Sequence, residues 1–503
     1  MPPADPREPE AAEPPDTATE PASDEPTAAR FAKLHALEAR GRTGFGLRFD
    51  RTHTASDIAG KHEGIEPGTE TGEQVRVAGR IMTVRRHGKV AFADLQDQTG
   101  RLQLFAQADR LGDRLDEFAE LDIGDWVGAW GEVVSTRRGE LSVRLDGFEL
   151  LTKSLRPWPE KWHGLTNVER RYRQRYVDLA THPRAREIFA ARSTLLAEMR
   201  SWLVARGFVE VETPMLHPIA GGALAKPFVT HHEVLGMDLF LRIAPELYLK
   251  RLLVGGLERI FEINRVFRNE GVSVKYNPEF TMLELYQAFA DYHDMADLIE
   301  GLVRHVAAAV TGSAVVRWQE HELDFERPFR RARLVDLVRE AGVDPDGDLR
   351  AECERLGIVY DPSWPKGKAL QEIYEKKVEH TLIQPTFVMD FPREVSPLAR
   401  PHRDDPSYTE HLELVVAGME IAPAYSELTD PIDQRARFEA QLQLKQGGDE
   451  EAHDLDEDFL RALEYGMPPA GGLGLGVDRL AMLLTGSPSI REVIFFPALR
   501  PER

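Results

Sequence analysis

Phe267-Arg268-Asn269-Glu270, followed by a polar loop and then Pro278-Glu279-Phe280-Thr281-Met282-Leu283-Glu284, is the stretch on which the reading of this chain turns. It has a counterpart near the C-terminus, Gly474-Leu475-Gly476-Val477-Asp478-Arg479-Leu480. Taken singly, an Arg-x-Glu pair reads as a surface ion pair and a phenylalanine as core. In this order the segments form two arginine devices of the kind that hold a nucleoside triphosphate. Joining a carboxylic acid to the α-phosphate of ATP brings two anions to bonding distance. A bidentate guanidinium aimed at both offsets their repulsion and fixes their orientation. Charge developing on the departing pyrophosphate needs Mg²⁺ or another arginine, and the adenine needs a π-face and an apolar slot.

Candidates for each requirement follow from position. Arg268, on a strand expected before the loop, is the clamp between carboxylate and α-phosphate, and Glu270 shares its face by strand alternation. Phe280 is the candidate adenine face, with Arg479 opposite it and in reach of the γ-phosphate. Gly474 and Gly476 allow close approach of backbone to the nucleotide. Arg268 and Arg479 are the candidate catalytic residues. Glu413 and Glu420 flank the apolar run Leu414-Val415-Val416-Ala417-Gly418-Met419. Such carboxylates suit a hard cation, and Mg²⁺ takes few protein ligands beside phosphates.

Working outward, the 503 residues, 42% of them hydrophobic and 29% charged, predict more than one domain and an ordinary globular class. No apolar run approaches the roughly 18 residues of a membrane span, and the N-terminal segment has no apolar signal region. Cys353 is the only cysteine, which excludes an intrachain disulfide and a cysteine-based zinc site. A cytoplasmic, non-membrane protein is expected. The net charge of −21 argues against nonspecific coating of DNA, though a local basic patch still suffices for one nucleic-acid partner.

Composition divides the chain into a disordered acidic, Pro-rich tail (1–30), a helical segment (31–70), a barrel (71–155), a linker (156–180) and a large C-terminal domain (181–503). Between Val75 and Leu151, five short alternating runs with Gly-containing turns, and a helical stretch around Asp113–Leu121, predict a small Greek-key barrel. An oligonucleotide-binding (OB) barrel is the natural candidate. Arg80, Arg85, Arg86, His87 and Lys89 cluster in its first hairpin, and Arg137 and Arg138 in a later one. Basic loops beside an exposed aromatic hold single-stranded nucleotides.

With Thr213-Pro214 upstream, the arginine segments resemble motifs 1, 2 and 3 of class II aminoacyl-tRNA synthetases. Longer segments narrow the resemblance to the class II lysyl-tRNA synthetase family of the bacterial type: Arg242-Ile243-Ala244-Pro245-Glu246-Leu247-Tyr248-Leu249-Lys250-Arg251-Leu252, Phe261 to Glu270, and Tyr425-Ser426-Glu427-Leu428-Thr429-Asp430. The resemblance spans residues from about 70 to 500. It implies an α+β fold: an N-terminal OB-fold barrel plus a class II catalytic domain, an antiparallel sheet flanked by helices.

It further implies an ATP-dependent ligase that activates L-lysine to lysyl-adenylate and transfers it to the 3′-end of tRNA(Lys). Glu246 and Glu427 are implied at the lysine ε-ammonium, with Tyr286 beside them, Glu284 at the α-amino group, and Gly222, Arg268 and Tyr425 completing the pocket. Buried ammonium groups do need such acceptors, and an anionic aspartate would not suit them. The ATP set is Arg268, Glu270, Tyr276, Asn277, Phe280, Glu413 and Arg479, with Glu413 and Glu420 on Mg²⁺. In the barrel, Phe92 is implied to stack on an anticodon base, while Arg85, Gln103 and Glu140 read base edges. The resemblance also implies a homodimer whose interface is the helix before Val209–Pro214 together with that strand. Two departures stand out. Pro423 replaces an asparagine amide of the family pattern and has no N–H, and Tyr276 stands where histidine is frequent. Rival readings are a synthetase-like ligase that lysylates a protein and a non-enzymatic regulator. The first predicts loss of the barrel, the second a damaged ATP site.

Overall fold

The computed structural model describes residues 25–159, 165–223, 225–362, 364–446 and 455–502. The chain divides into two compact units, residues 1–163 and 164–503.

The first unit is built on strands Glu70–His87, Val90–Gln96, Arg101–Gln107, Trp126–Ser135 and Leu141–Thr152. They close into a barrel in which the first strand pairs with the second and fourth, and the third pairs in parallel with the fifth. Alternation sorts the side chains: Ala91, Ala93, Leu102 and Leu104 are buried inside, leaving Phe92, Gln103 and Phe105 on the outer face. The register slips at Trp130/Gly131, where a Cβ on Gly131 would stand 2.0 Å from the Arg144 carbonyl oxygen. That bulge bends the strand so the barrel can close. Short helices Ala108–Leu111 and Arg114–Ala119 precede the fourth strand.

Two expectations are corrected here. Residues 1–24 of the expected tail lie outside the described residues, but its last residues open the helix Glu25–Ala39. The cause is Arg30, whose guanidinium donates to the carbonyls of Ile123, Ser154 and Arg156 and ties this helix down. Arg80 is not part of the basic hairpin tip. Its guanidinium lies 4.7 Å from the Trp126 ring centroid and 4.4 Å from that of Trp158, and donates to the Gly124 carbonyl.

The second unit carries a sheet in the order Arg330–Arg333, Thr386–Met389, His411–Val416, Met419–Ser426, Ala470–Gly476, Glu279–Ala288, Arg259–Phe267, Val209–Glu210. Its pairings are antiparallel except at the two edges, which add in parallel. Helices Pro183–Val204 and Tyr292–Thr311 contribute Leu195, Met199, Ile299 and Leu302 to a core that they share with Leu283, Leu285 and Leu475 of the sheet. A capping box at Asp291 and Asp294 starts the second helix, and left-handed Gly312 ends it. The expected linker is also corrected. Residues 160–164 lie outside the described residues, and helices Val168–Arg173 and Arg175–Thr181 fill its second half. Arg175 is fully buried, pairs with Asp178 at 2.6 Å and donates to the Phe495 and Arg491 carbonyls. A segment so anchored is not a spacer. Among the described residues no helix is long and apolar enough to cross a membrane.

Candidate active site

The strand Ala470–Gly476 forms the floor of the site, between Met419–Ser426 and Glu279–Ala288. Its leucines, Leu473 and Leu475, enter the core, while Gly472 and Gly474 stand opposite Tyr286 and Glu284. A Cβ at Gly472 would lie 2.1 Å from Glu427 Oε1 and 2.4 Å from Tyr286 Cε1. One at Gly474 would lie 2.7 Å from Met282, whereas at Gly476 nothing beyond its chain neighbours comes nearer than 3.7 Å among the described residues. The need for a bare backbone therefore falls on Gly472 and Gly474.

Two adjoining cavities lie on this floor. Gly222, Glu246, Arg268, Glu284, Tyr286 and Tyr425 line one of about 220 Å³, together with Glu413 and Glu420. Arg268, Glu270, Tyr276, Asn277, Phe280 and Arg479 line another of about 110 Å³. Arg268 and Glu420 belong to both, so the guanidinium stands where the contents of the two cavities meet. A larger space of about 940 Å³ touches the expected residues only at Glu427. Its charged side chains Asp291, Arg403 and Glu410 pair with one another, and the clamp arginines are not among its walls.

Behind Glu246 of the first cavity's wall, and joined to it through Lys250, Glu427 is 1% exposed. Fully buried Lys250 lies 2.5 Å from both Glu427 Oε2 and Glu246 Oε1. Burial pushes the Glu427 carboxyl up to about 7 although Lys250 opposes the shift. Burial, with Glu246 adding repulsion, raises Glu284 well above the usual carboxylate range while the Tyr286 hydroxyl donates to it at 2.7 Å. Burial and the surrounding carboxylates likewise raise the Tyr286 and Tyr425 phenols, leaving them neutral donors.

In the second cavity the geometry differs from simple strand alternation. The strand ends at Phe267. Arg268 N–H donates to the Pro278 carbonyl and Glu270 N–H folds back onto the Arg268 carbonyl at 2.9 Å, so a tight turn, not alternation, brings Glu270 to the cavity. The Arg268 guanidinium lies 5.2 Å from the Phe280 ring centroid and that of Arg479 5.4 Å from Tyr276. Burial pulls Arg268 below the usual arginine value, and an arginine guanidinium keeps its charge in a protein. Arg479 donates to the Glu420 carbonyl at 2.6 Å and approaches its carboxylate at 3.3 Å. Asn277 is buried, its amide donating to the Glu279 carbonyl and accepting from Ala498 N–H. Asp478 accepts from Thr281 N–H at 2.6 Å and pairs with Arg192 at 2.5 Å, so it fixes the strand carrying Phe280.

Glu413 and Glu420 lie on two strands of one hairpin, across the left-handed turn Ala417-Gly418, rather than at the ends of a single strand. Burial and then Glu420 raise the Glu413 carboxyl well above its usual range. Two carboxylates that repel in one cavity fit a divalent cation. Among the described residues no group of three or more His, Cys, Asp or Glu forms a metal cage. Pro423 stands directly opposite Glu413. Beside them His411 is buried, with Nδ1 at 2.8 Å from Ser396 Oγ, and burial lowers its imidazole to about 3.

On the barrel, Phe92 stacks face to face on Phe105, with centroids 4.9 Å apart. Arg85 is the Cα partner of Phe92 and lies 3.6 Å from Asp94; Gln103 accepts from Ser142 Oγ. Glu140 is exposed at the adjoining turn. Sequence reading missed four contributors: Lys250, Gly472, Asp478 and Phe105. The spacing of Glu246 and Lys250 on one turn of the helix Glu246–Val254 was a usable signal.

Comparison with known proteins supplies independent findings. A family model described as tRNA synthetases class II (D, K and N) matches residues 167–500. Another, described as OB-fold nucleic acid binding domain, matches residues 75–151. The chain is 53% identical over 500 residues to the lysine–tRNA ligase of Xanthomonas oryzae pv. oryzae (strain MAFF 311018), covering 96% of this chain and 99% of that one. It is 52% identical over 482 residues to the lysine–tRNA ligase of Moorella thermoacetica (strain ATCC 39073 / JCM 9320), covering 94% and 98%. The corresponding enzyme of Oceanobacillus iheyensis (strain DSM 14371 / CIP 107618 / JCM 11309 / KCTC 3954 / HTE831) is 52% identical over 480 residues, covering 94% and 97%.

Proposed function

On the premise that the chain belongs to the class II lysine–tRNA ligases, ATP-dependent enzymes carrying an OB-fold tRNA-binding domain, we propose the following division of labour among its residues. The 220 Å³ cavity takes L-lysine. Its ε-ammonium meets Glu246 and Glu427 beside Tyr286, its α-amino group meets Glu284, and its carboxylate turns to Arg268, with Gly222 and Tyr425 as walls. The 110 Å³ cavity takes the adenylate part of ATP against Phe280 and Arg479, with Glu270, Tyr276 and Asn277 along the nucleotide.

The carboxylate attacks the α-phosphate and pyrophosphate leaves. Arg268 spans both anions, so positioning and charge stabilisation carry the rate without a covalent nucleophile. Glu413 and Glu420 would hold Mg²⁺, which when bound neutralises charge on the phosphates. The 3′-terminal ribose hydroxyl of tRNA(Lys) then attacks the activated carbonyl, the carbonyl–phosphate bond breaks, and AMP leaves as the hydroxyl gives up its proton. Pro423 offers neither side-chain nor backbone donor, so Arg268 bears more of the carboxylate's orientation than it would beside an asparagine amide.

The observation that carries this reading is that one guanidinium, Arg268, lines both cavities. Lysine-dependent ATP–pyrophosphate exchange tests it: Arg268→Ala should remove exchange, and near-wild-type exchange in the folded variant would defeat the assignment. On the barrel, Phe92, Arg85, Gln103 and Glu140 read the anticodon. A homodimer is supported by exposed Val204, Val209, Met215 and Leu216, an apolar surface in and just after the helix Pro183–Val204. The substrates, ATP and tRNA, argue for the cytoplasm.

A further inference from the structure

Lys250 has no part in the clamp or the nucleotide site, yet it is paired with Glu246, a wall of the amino-acid cavity. Its side chain is fully buried, with Nζ 2.5 Å from Glu246 Oε1, 2.5 Å from Glu427 Oε2 and 5.9 Å from the Tyr286 ring centroid. The pocket for an ammonium therefore already contains one. When both glutamates are ionised, as an ammonium ligand requires, their two negative charges face one positive charge on Lys250, so the cluster is short by a single positive charge. Two buried carboxylates this close, without a cation, would repel or share a proton, and a shared proton turns an acceptor into a donor. Neither Glu427 oxygen has a hydrogen-bond partner among the described residues apart from the 2.5 Å ion pair that Oε2 makes with Lys250. Oε1 sits in the space that Gly472 leaves open, where a Cβ would come to 2.1 Å. Lys250 thus makes its ion pair with Oε2, and Oε1 is left facing Gly472.

We propose that Lys250 is a positioning residue for amino-acid selection: its ammonium fixes the spacing of Glu246 and Glu427 and balances one of their charges. Glu427 Oε1 and the second Glu246 oxygen are thereby presented to one incoming ammonium. This rests on the reading of Glu246 and Glu427 as ligands of the lysine side chain. The wild-type residue is a permanent member of the site, not a placeholder that the substrate displaces.

Two measurements test it. In a crystal structure of the wild-type enzyme with L-lysine, Lys250 Nζ should stay within hydrogen-bond distance of both carboxylates while the ligand's ammonium takes the remaining oxygens. Lys250 displaced from either glutamate overturns the proposal. Lysine bound away from Glu246 altogether contradicts the pocket reading beneath it. In Lys250→Met, lysine KM should rise at least about tenfold while ATP KM and kcat stay within about threefold. Propylammonium, which replaces the missing side chain in Lys250→Ala, should lower that variant's lysine KM. A purely structural role would reduce the folded fraction, and with it apparent kcat, and leave lysine KM and rescue unmoved; that result also overturns the proposal. The wild-type structure decides the question even where the variants do not fold.

Discussion

Tyr286 donates its hydroxyl hydrogen to Glu284 Oε1 at 2.7 Å, from two positions along the same strand face, and the pair is buried. Burial makes a carboxylate hold its proton more tightly than water does, at Glu284 against the opposing Tyr286 hydrogen bond and at Glu427 against Lys250.

The first prediction is a pH dependence with a definite sign. Lysine brings ammonium groups that require ionised carboxylates, so binding must expel the protons held at Glu284 and Glu427. Lysine KM should fall as pH rises through about 7, the value to which Glu427 is pushed, by up to about tenfold per pH unit for each proton released. Calorimetry in buffers of different ionisation heat should register proton release on lysine binding. A KM flat across this range contradicts the burial argument.

A second prediction concerns the floor. In Gly472→Ala the new methyl meets Glu427 Oε1 at 2.1 Å and Tyr286 at 2.4 Å, and neither buried group can retreat far. Overpacking of this kind costs about 1–3 kcal/mol. Lysine KM should rise at least about tenfold, with ATP KM little changed. The Gly476→Ala change, at a position with ordinary contacts inside the chain, provides the comparison: a nucleotide approaching that backbone would show itself there in ATP KM alone.

A third prediction separates Asp478 from its neighbour Arg479. Asp478→Asn leaves Arg192 as a buried unpaired cation, a change that costs about 3–5 kcal/mol. Denaturant unfolding should show that loss. Because Asp478 also holds Thr281, next to Phe280, ATP KM should rise more than lysine KM. Arg479→Ala should instead leave the fold intact and remove exchange activity.

The barrel yields a fourth prediction. Phe92 and Phe105 form one stacked platform, and stacking of a base on an aromatic side chain is worth about 1–3 kcal/mol. Phe92→Ala should raise the KM for tRNA by about tenfold or more and leave pyrophosphate exchange, which needs no tRNA, at the wild-type rate. Phe105→Ala should weaken tRNA binding less, through loss of support for Phe92.

The sequence made the chemical residues legible and the reasons for their placement less so. Arg268, Glu270, Phe280 and Arg479 stood out because chemistry restricts residue type at each place, and the structure brings them to one cavity. Lys250 was passed over because a lysine in a helix is usually a solvated cation; only tertiary packing shows it to be buried. Gly472 was missed and Gly476 preferred because a run of alternating glycines does not reveal which one faces a bulky neighbour. The helix Glu25–Ala39 was read in part as tail because its stability lies in Arg30 reaching distant carbonyls, a long-range term that local composition does not carry.

The central claim is that buried acidic groups select a long cationic amino acid which a guanidinium then aligns for attack on ATP. Pyrophosphate exchange, measured with each of the twenty amino acids and with norleucine, tests it most directly. Lysine should support exchange, while norleucine, which has the same carbon chain without the ammonium, should fall short by about a thousandfold or more in kcat/KM, because it leaves the buried carboxylates unpaired. Comparable exchange with norleucine would contradict the account.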